Sequence, residues 1–118
     1  MIYKGISVID LLFYLLNDLF GAYKDRHWQY IAYDNKFITL YADQYFKQFK
    51  TSIRSFKNDL IKCINENKCN KLLTIDFTGL NETHEIIPGD MLCDISLNFE
   101  NENEIDQLIT LYKMKGFL

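Results

Sequence analysis

The sequence predicts an α+β domain in which a mostly antiparallel sheet carries helices on one face. Three observations predict it. Two stretches, around Val8–Phe20 and Phe46–Ile64, repeat apolar residues at helical spacing. Several shorter stretches concentrate or alternate aromatic and β-branched residues between turn-forming ones, as half-buried strands do. Breakers are scarce, with one Pro and five Gly in 118 residues, so the elements are regular and their links short. The expected order is α-β-β-α-β-β-α within a single domain, residues 1–118.

The first helix starts after Ser7, a good N-cap. Val8, Leu11, Leu12, Leu15 and Leu19 fall on one face, and Ile9, Phe13, Leu16 and Phe20 add a second. A helix apolar around most of its circumference must be largely buried, in the core or in an interface. His27–Tyr33 and Phe37–Tyr41 flank the break Asp34-Asn35-Lys36 and read as a β-hairpin. Asp43 then caps an expected long helix to about Asn67. Its inner stripe is Phe46, Phe49, Ile53, Phe56, Leu60 and Ile64, flanked by a basic ridge of Lys47, Lys50, Arg54 and Lys57.

Leu72–Thr78 reads as a strand ended by Gly79, and Leu80–Ile87 fits a loop, a short strand or a helical turn. Pro88-Gly89 is a turn. In the strand Met91–Phe99, Met91, Cys93, Ile95, Leu97 and Phe99 are expected on the inner face, with Leu92, Asp94, Ser96 and Asn98 outside. An acidic loop, Glu100–Glu104, precedes a last helix capped by Asn103, running through Met114 and stopped at Gly116.

The net charge of −3 and a pI near 5.3 disfavour nucleic acid and anionic membranes as partners. The charge is segregated along the chain. Residues 44–71 carry seven Lys or Arg against two acids, whereas residues 72–112 carry nine acids and no Lys or Arg. Such a layout either pairs internally or presents an acidic face to a basic partner. The second reading makes Glu82, Glu85, Asp90, Asp94, Glu100, Glu102 and Glu104 the candidate binding residues, with Asp106 in the same acidic block. The apolar run near the start is interrupted by Asp10, ended by Asn17 and Asp18, and too short to span a bilayer. A cytoplasmic location is therefore expected.

No motif carries an enzymatic chemistry: GxxxxGK[ST], GxGxxG, HExxH, GxSxG and the EF-hand loop do not occur. Cys63, Cys69 and Cys93 are an odd number without CxxC spacing, which points to reduced thiols. A zinc set built from them with His84 lacks ligand spacing, and Cys63 and Cys93 fit better as small buried hydrophobes. His27 and His84 are the two histidines available to a metal-free acid–base pair. Asp76, Asp90 and Asp94 are the carboxylates a Mg²⁺ cluster would draw on. Both sets have an ordinary alternative, a strand-edge histidine and a solvated sheet face. No catalytic residue, metal ligand or cofactor is assigned from the sequence.

In size, acidic pI, absence of a catalytic signature, α+β order and the acidic block Glu82–Asp106, the chain resembles small bacterial immunity proteins. Its Ile/Asn/Lys-rich bias, with Lys well above Arg, adds to the likeness. The resemblance implies an inhibitor that binds a basic, nuclease-like toxin through its acidic residues. The alternatives are another protein-binding or oligomerising regulatory module, favoured by an exposed first helix, and a small nuclease-like enzyme, which needs His27 and His84 in one cleft.

Overall fold

A computed structural model describes residues 1–21, 28–33, 36–43 and 52–118, with backbone alone at 20, 21, 28, 29, 32 and 33. The chain opens with a miniature antiparallel hairpin that the sequence reading did not anticipate, β1 (Ile2–Tyr3) and β2 (Ile6–Ser7). Its two-residue link is Lys4-Gly5, with φ of 48° and 82°. Positive φ at both central positions matches the right-handed twist of the flanking strands, and glycine meets that demand at the second.

Ser7 then accepts the Asp10 N–H on its Oγ, and α1 (Val8–Gly21) begins. Val8, Leu11, Leu12, Leu15, Leu16 and Leu19 are all buried. Each such side chain contributes about 1.5–3 kcal/mol relative to exposure, which makes this helix the centre of the core rather than an exposed face. Ile9 and Phe13 are half-buried beside it, Phe13 with its ring 5.4 Å from that of Tyr30.

The hairpin β3 (Trp28–Tyr33) and β4 (Phe37–Ala42) pairs from Trp28↔Ala42 to Tyr33↔Phe37, as expected. The next helix differs. A single helix from Asp43 is excluded, because Ser52 has extended backbone (φ −86°, ψ 161°), bridges Glu85 and caps α2 (Ile53–Glu66) by accepting the Ser55 N–H. Residues 44–51, with Phe46, Phe49, Lys47 and Lys50, lie outside the described residues. The first two N–H groups of α2 are taken by the loop before β6: Ile53 N donates to His84 O and Arg54 N to Glu82 O. Loop carbonyls thus satisfy donors that a helix start leaves unpaired.

β5 (Leu73–Phe77) and β6 (Met91–Leu97) complete a four-stranded antiparallel sheet in the order β3-β4-β6-β5. Ile38, Leu40, Ala42, Leu73, Cys93, Ile95 and Leu97 join the helices in one core. Between Leu40 and Tyr41 the register slips, so Tyr41 faces Met91 while Leu40 faces Cys93. Leu92 is the extra residue of a β-bulge, which re-aims its neighbours. This corrects the expected alternation: Leu92 is buried, and Met91 is exposed on the outer face.

Asn98 caps a 3₁₀ turn, Phe99–Asn101, which feeds α3 (Glu102–Met114). Asn103 therefore lies inside the helix, and the expected acidic loop is the 3₁₀ turn and first helical turn, where acids complement the positive end of the helix. The helix ends in a Schellman arrangement with Gly116 at φ 80°, Gly116 N bonding Lys113 O and Phe117 N bonding Tyr112 O. Phe117 then stacks on Tyr14 of α1. Among the described residues no helix is long and apolar enough to cross a membrane.

Candidate functional site

The outer face of the sheet, turned away from the core, is built by the strand registers. Ile31, Thr39, Asp94 and Asp76 form one row across all four strands. Ile31 is 56 % exposed at one end of the row, and Asp76 is exposed at the other. Thr39, only 3 % exposed, donates from Oγ1 to Asp94 Oδ1 at 2.8 Å and holds that carboxylate against the sheet. Met91, 48 % exposed, and the half-buried Tyr41 and Phe37 belong to the same face. Asp76 and Asp94 stand directly opposite each other, an arrangement that costs stability unless a cation joins them. Neither has an ion-pair partner among the described residues.

The other acids singled out from the sequence are divided between the two ends of this sheet. Glu82, Glu85 and Asp90 sit in the loop that enters β6, and Glu100, Glu102 and Glu104 follow its far end. Seven residues of strand, roughly 20 Å at about 3.3 Å per residue, separate the two groups. Glu82 is engaged internally, with Arg54 Nε at 3.4 Å and Lys57 Nζ at 4.0 Å. Asp90 is engaged as well: its Oδ2 accepts the Ile87 N–H at 2.9 Å and lies 3.1 Å from His84 Nε2. The described half of the basic ridge is thus the counter-charge of the acidic loop. Lys57 also sits over the Phe77 ring, 5.1 Å from its centroid.

Of the residues considered for chemistry, His27 lies outside the described residues, and His84 is committed to Asp90. Asp90 is in a turn, away from the row that holds Asp76 and Asp94, and no group of three metal-ligating side chains occurs among the described residues. Cys63, Cys69 and Cys93 are free and buried. Burial pushes the Cys93 thiol far above its ordinary range, with Asp94 and Asp76 adding to the shift. Burial, then Cys63, raises that of Cys69. Cys69 and Cys93 are therefore packing thiols, kept protonated and poorly nucleophilic.

One polar cluster escaped the sequence reading. Asp106 accepts from Lys4 Nζ at 2.8 Å and from the Tyr3 hydroxyl at 3.0 Å, tying the first hairpin to α3. The Lys4 hydrogen bond, then that of Tyr3, holds the Asp106 carboxyl below its usual range. Separations of 102 and 103 residues leave no local pattern by which to find it. Asp76 belongs to the acidic count, but its role depends on register, which no short-range signal reveals. No protein-family model, curated protein or solved structure matches this chain.

Proposed function

We propose that this chain is a binding protein of the inhibitor type, an immunity-like module that captures a basic protein, in the simplest case a nuclease-like toxin. The observation that carries the reading is the Asp76–Asp94 pair on the outer sheet face, which has no ion-pair partner among the described residues and shares that face with exposed Ile31 and Met91. Carboxylates beside apolar anchors suit a partner that inserts Lys or Arg between them, because cross-interface charge supplies steering and register while apolar contact supplies affinity. The division of the remaining acids supports the same face. Glu82 and Asp90 are spent on internal partners, and the Glu100–Glu104 group stands at the far end of the sheet. An oligomer built on α1 has less support, since the leucines of that helix are core.

The test is affinity capture from the native host with the wild type and with Asp76→Lys/Asp94→Lys. A stoichiometric basic protein is expected with the wild type and should be lost with the double variant, which forfeits the Thr39–Asp94 hydrogen bond but keeps its fold by circular dichroism. Capture should also weaken as salt rises. Equal capture by both proteins would reject the sheet face, and recovery of nucleic acid alone would reject protein binding.

A further inference from the structure

A second region, on the helical side of the molecule, has the construction of a ligand site. A cavity of about 430 Å³ opens between α1, the α2–β5 connection and α3. That volume falls within the range of about 300–1,000 Å³ typical of small-molecule sites. Its floor is apolar, from Leu15, Leu19, Leu72 and Leu108, and Leu111 forms a half-exposed wall.

One polar group in it is out of keeping with that floor. Tyr112 is 1 % exposed, and its hydroxyl makes no well-formed hydrogen bond among the described residues, only a weak interaction of that kind with the Asp18 carboxylate, which leaves its oxygen lone pairs unused. Buried hydroxyls almost always have a partner, and leaving one without is costly. The side chains that bear on this hydroxyl are Asp18 and Cys69, and both line the same cavity. Burial, then the Asp18 carboxylate, raises the Tyr112 pKa, so the group is a neutral phenol with oxygen lone pairs to offer. At the rim, two carboxylates, Asp18 and Glu104, face one ammonium, Lys68, and none of the three makes an ion pair among the described residues. The cavity is therefore apolar below, with an excess of negative charge and an unused acceptor above.

We propose that this cavity binds a small amphipathic amine. Its ammonium group donates to Asp18 and to the Tyr112 oxygen, and its hydrocarbon tail lies on the leucine floor. An anion would meet two carboxylates, and a neutral apolar molecule would leave the hydroxyl unsatisfied. The site is independent of the sheet face, because its residues come from the opposite side of the core.

The probes are hexylammonium, hexanol and hexanoate, titrated into the labelled protein and followed through backbone amide shifts. Hexylammonium should give saturable shifts, in the millimolar range suited to so small a ligand, around Asp18, Cys69 and Leu108–Tyr112. Hexanol should bind more weakly and hexanoate not at all. Asp18→Asn, an exposed change, should weaken the amine about tenfold or more while leaving hexanol unaffected. Tyr112→Phe should also weaken the amine yet leave the melting temperature unchanged or raised, because it removes a weakly partnered hydroxyl. The proposal is overturned if hexylammonium fails to saturate, if hexanoate or hexanol binds as well, or if Asp18→Asn has no effect. A fall in melting temperature for Tyr112→Phe also overturns it, since the hydroxyl would then already have a strong internal partner.

Discussion

Lys68 holds a φ of 56°, at the position after the α2 C-cap where the chain must turn left-handed. The turn closes through Cys69 N to Ile64 O and Lys68 N to Asn65 O, the same arrangement that Gly116 makes at the end of α3. A side chain in this region costs roughly 1–2 kcal/mol, and glycine recovers part of it against its greater unfolded freedom. Lys68→Gly should raise unfolding stability by about 0.5–1 kcal/mol in urea titrations, with an unchanged m-value. The Asp106 cluster gives a pH dependence with a definite sign. Its carboxyl titrates below the ordinary 3.8, so the stability it contributes is complete above that value and disappears as pH falls through the lower, folded value. Asp106→Asn should therefore flatten the loss of stability that the wild type shows as pH falls below the ordinary carboxylate value of 3.8. Superimposable pH profiles for the two proteins would show that the cluster does not couple to folding.

At the scale of elements, α2 shows how a helix start is chosen. Asp43 and Ser52 both have capping side chains, and the apolar stripe extends on both sides of Ser52 in the sequence. The choice falls at Ser52 because carbonyls of residues 82 and 84 arrive there to accept the Ile53 and Arg54 N–H groups. The buried stripe from that point, Ile53, Phe56, Leu60, Cys63 and Ile64, follows the spacing expected from sequence. Leu60 is in the middle of that stripe and almost wholly buried. Leu60→Ala should cost about 2–5 kcal/mol, depending on how far the neighbours relax into the space, as measured by chemical denaturation. The bulge at Leu92 is the matching case in the sheet. One additional residue on β6 transfers Met91 to the outer face and places it beside the Asp76–Asp94 row. No alternation pattern in the sequence marks where such an insertion falls.

For the molecule as a whole, charge segregation along the chain resolves into two roles. Part of it is internal: Arg54 and Lys57 meet Glu82 and bring the loop before β6 onto the start of α2. Such exposed pairs contribute little, about 0–1 kcal/mol each, so their value lies in positioning more than in stability. The remainder is outward: the carboxylates of Asp76 and Asp94 share one sheet face with no ion-pair partner among the described residues. The charge-reversal experiment on that pair is a whole-molecule test for this reason. It alters the field a partner meets and leaves the core untouched, whereas reversal at Glu82 would also disturb the loop on α2.

The sequence by itself determined the α+β class, the helix and strand order after Ser7, the inner stripes of α1 and, from Ile53 onward, of α2, and the burial of Cys63 and Cys93. These follow from local periodicity and apolar content, which are properties of neighbouring residues. Tertiary structure alone decided the Lys4-Gly5 hairpin and its anchor at Asp106, the start of α2 at Ser52, the bulge at Leu92, and the separation of the acids between two ends of the sheet. Each of these depends on strand register or on partners distant along the chain, and a carboxylate in a sequence carries no record of whether its neighbour in space is a lysine, a second carboxylate or solvent.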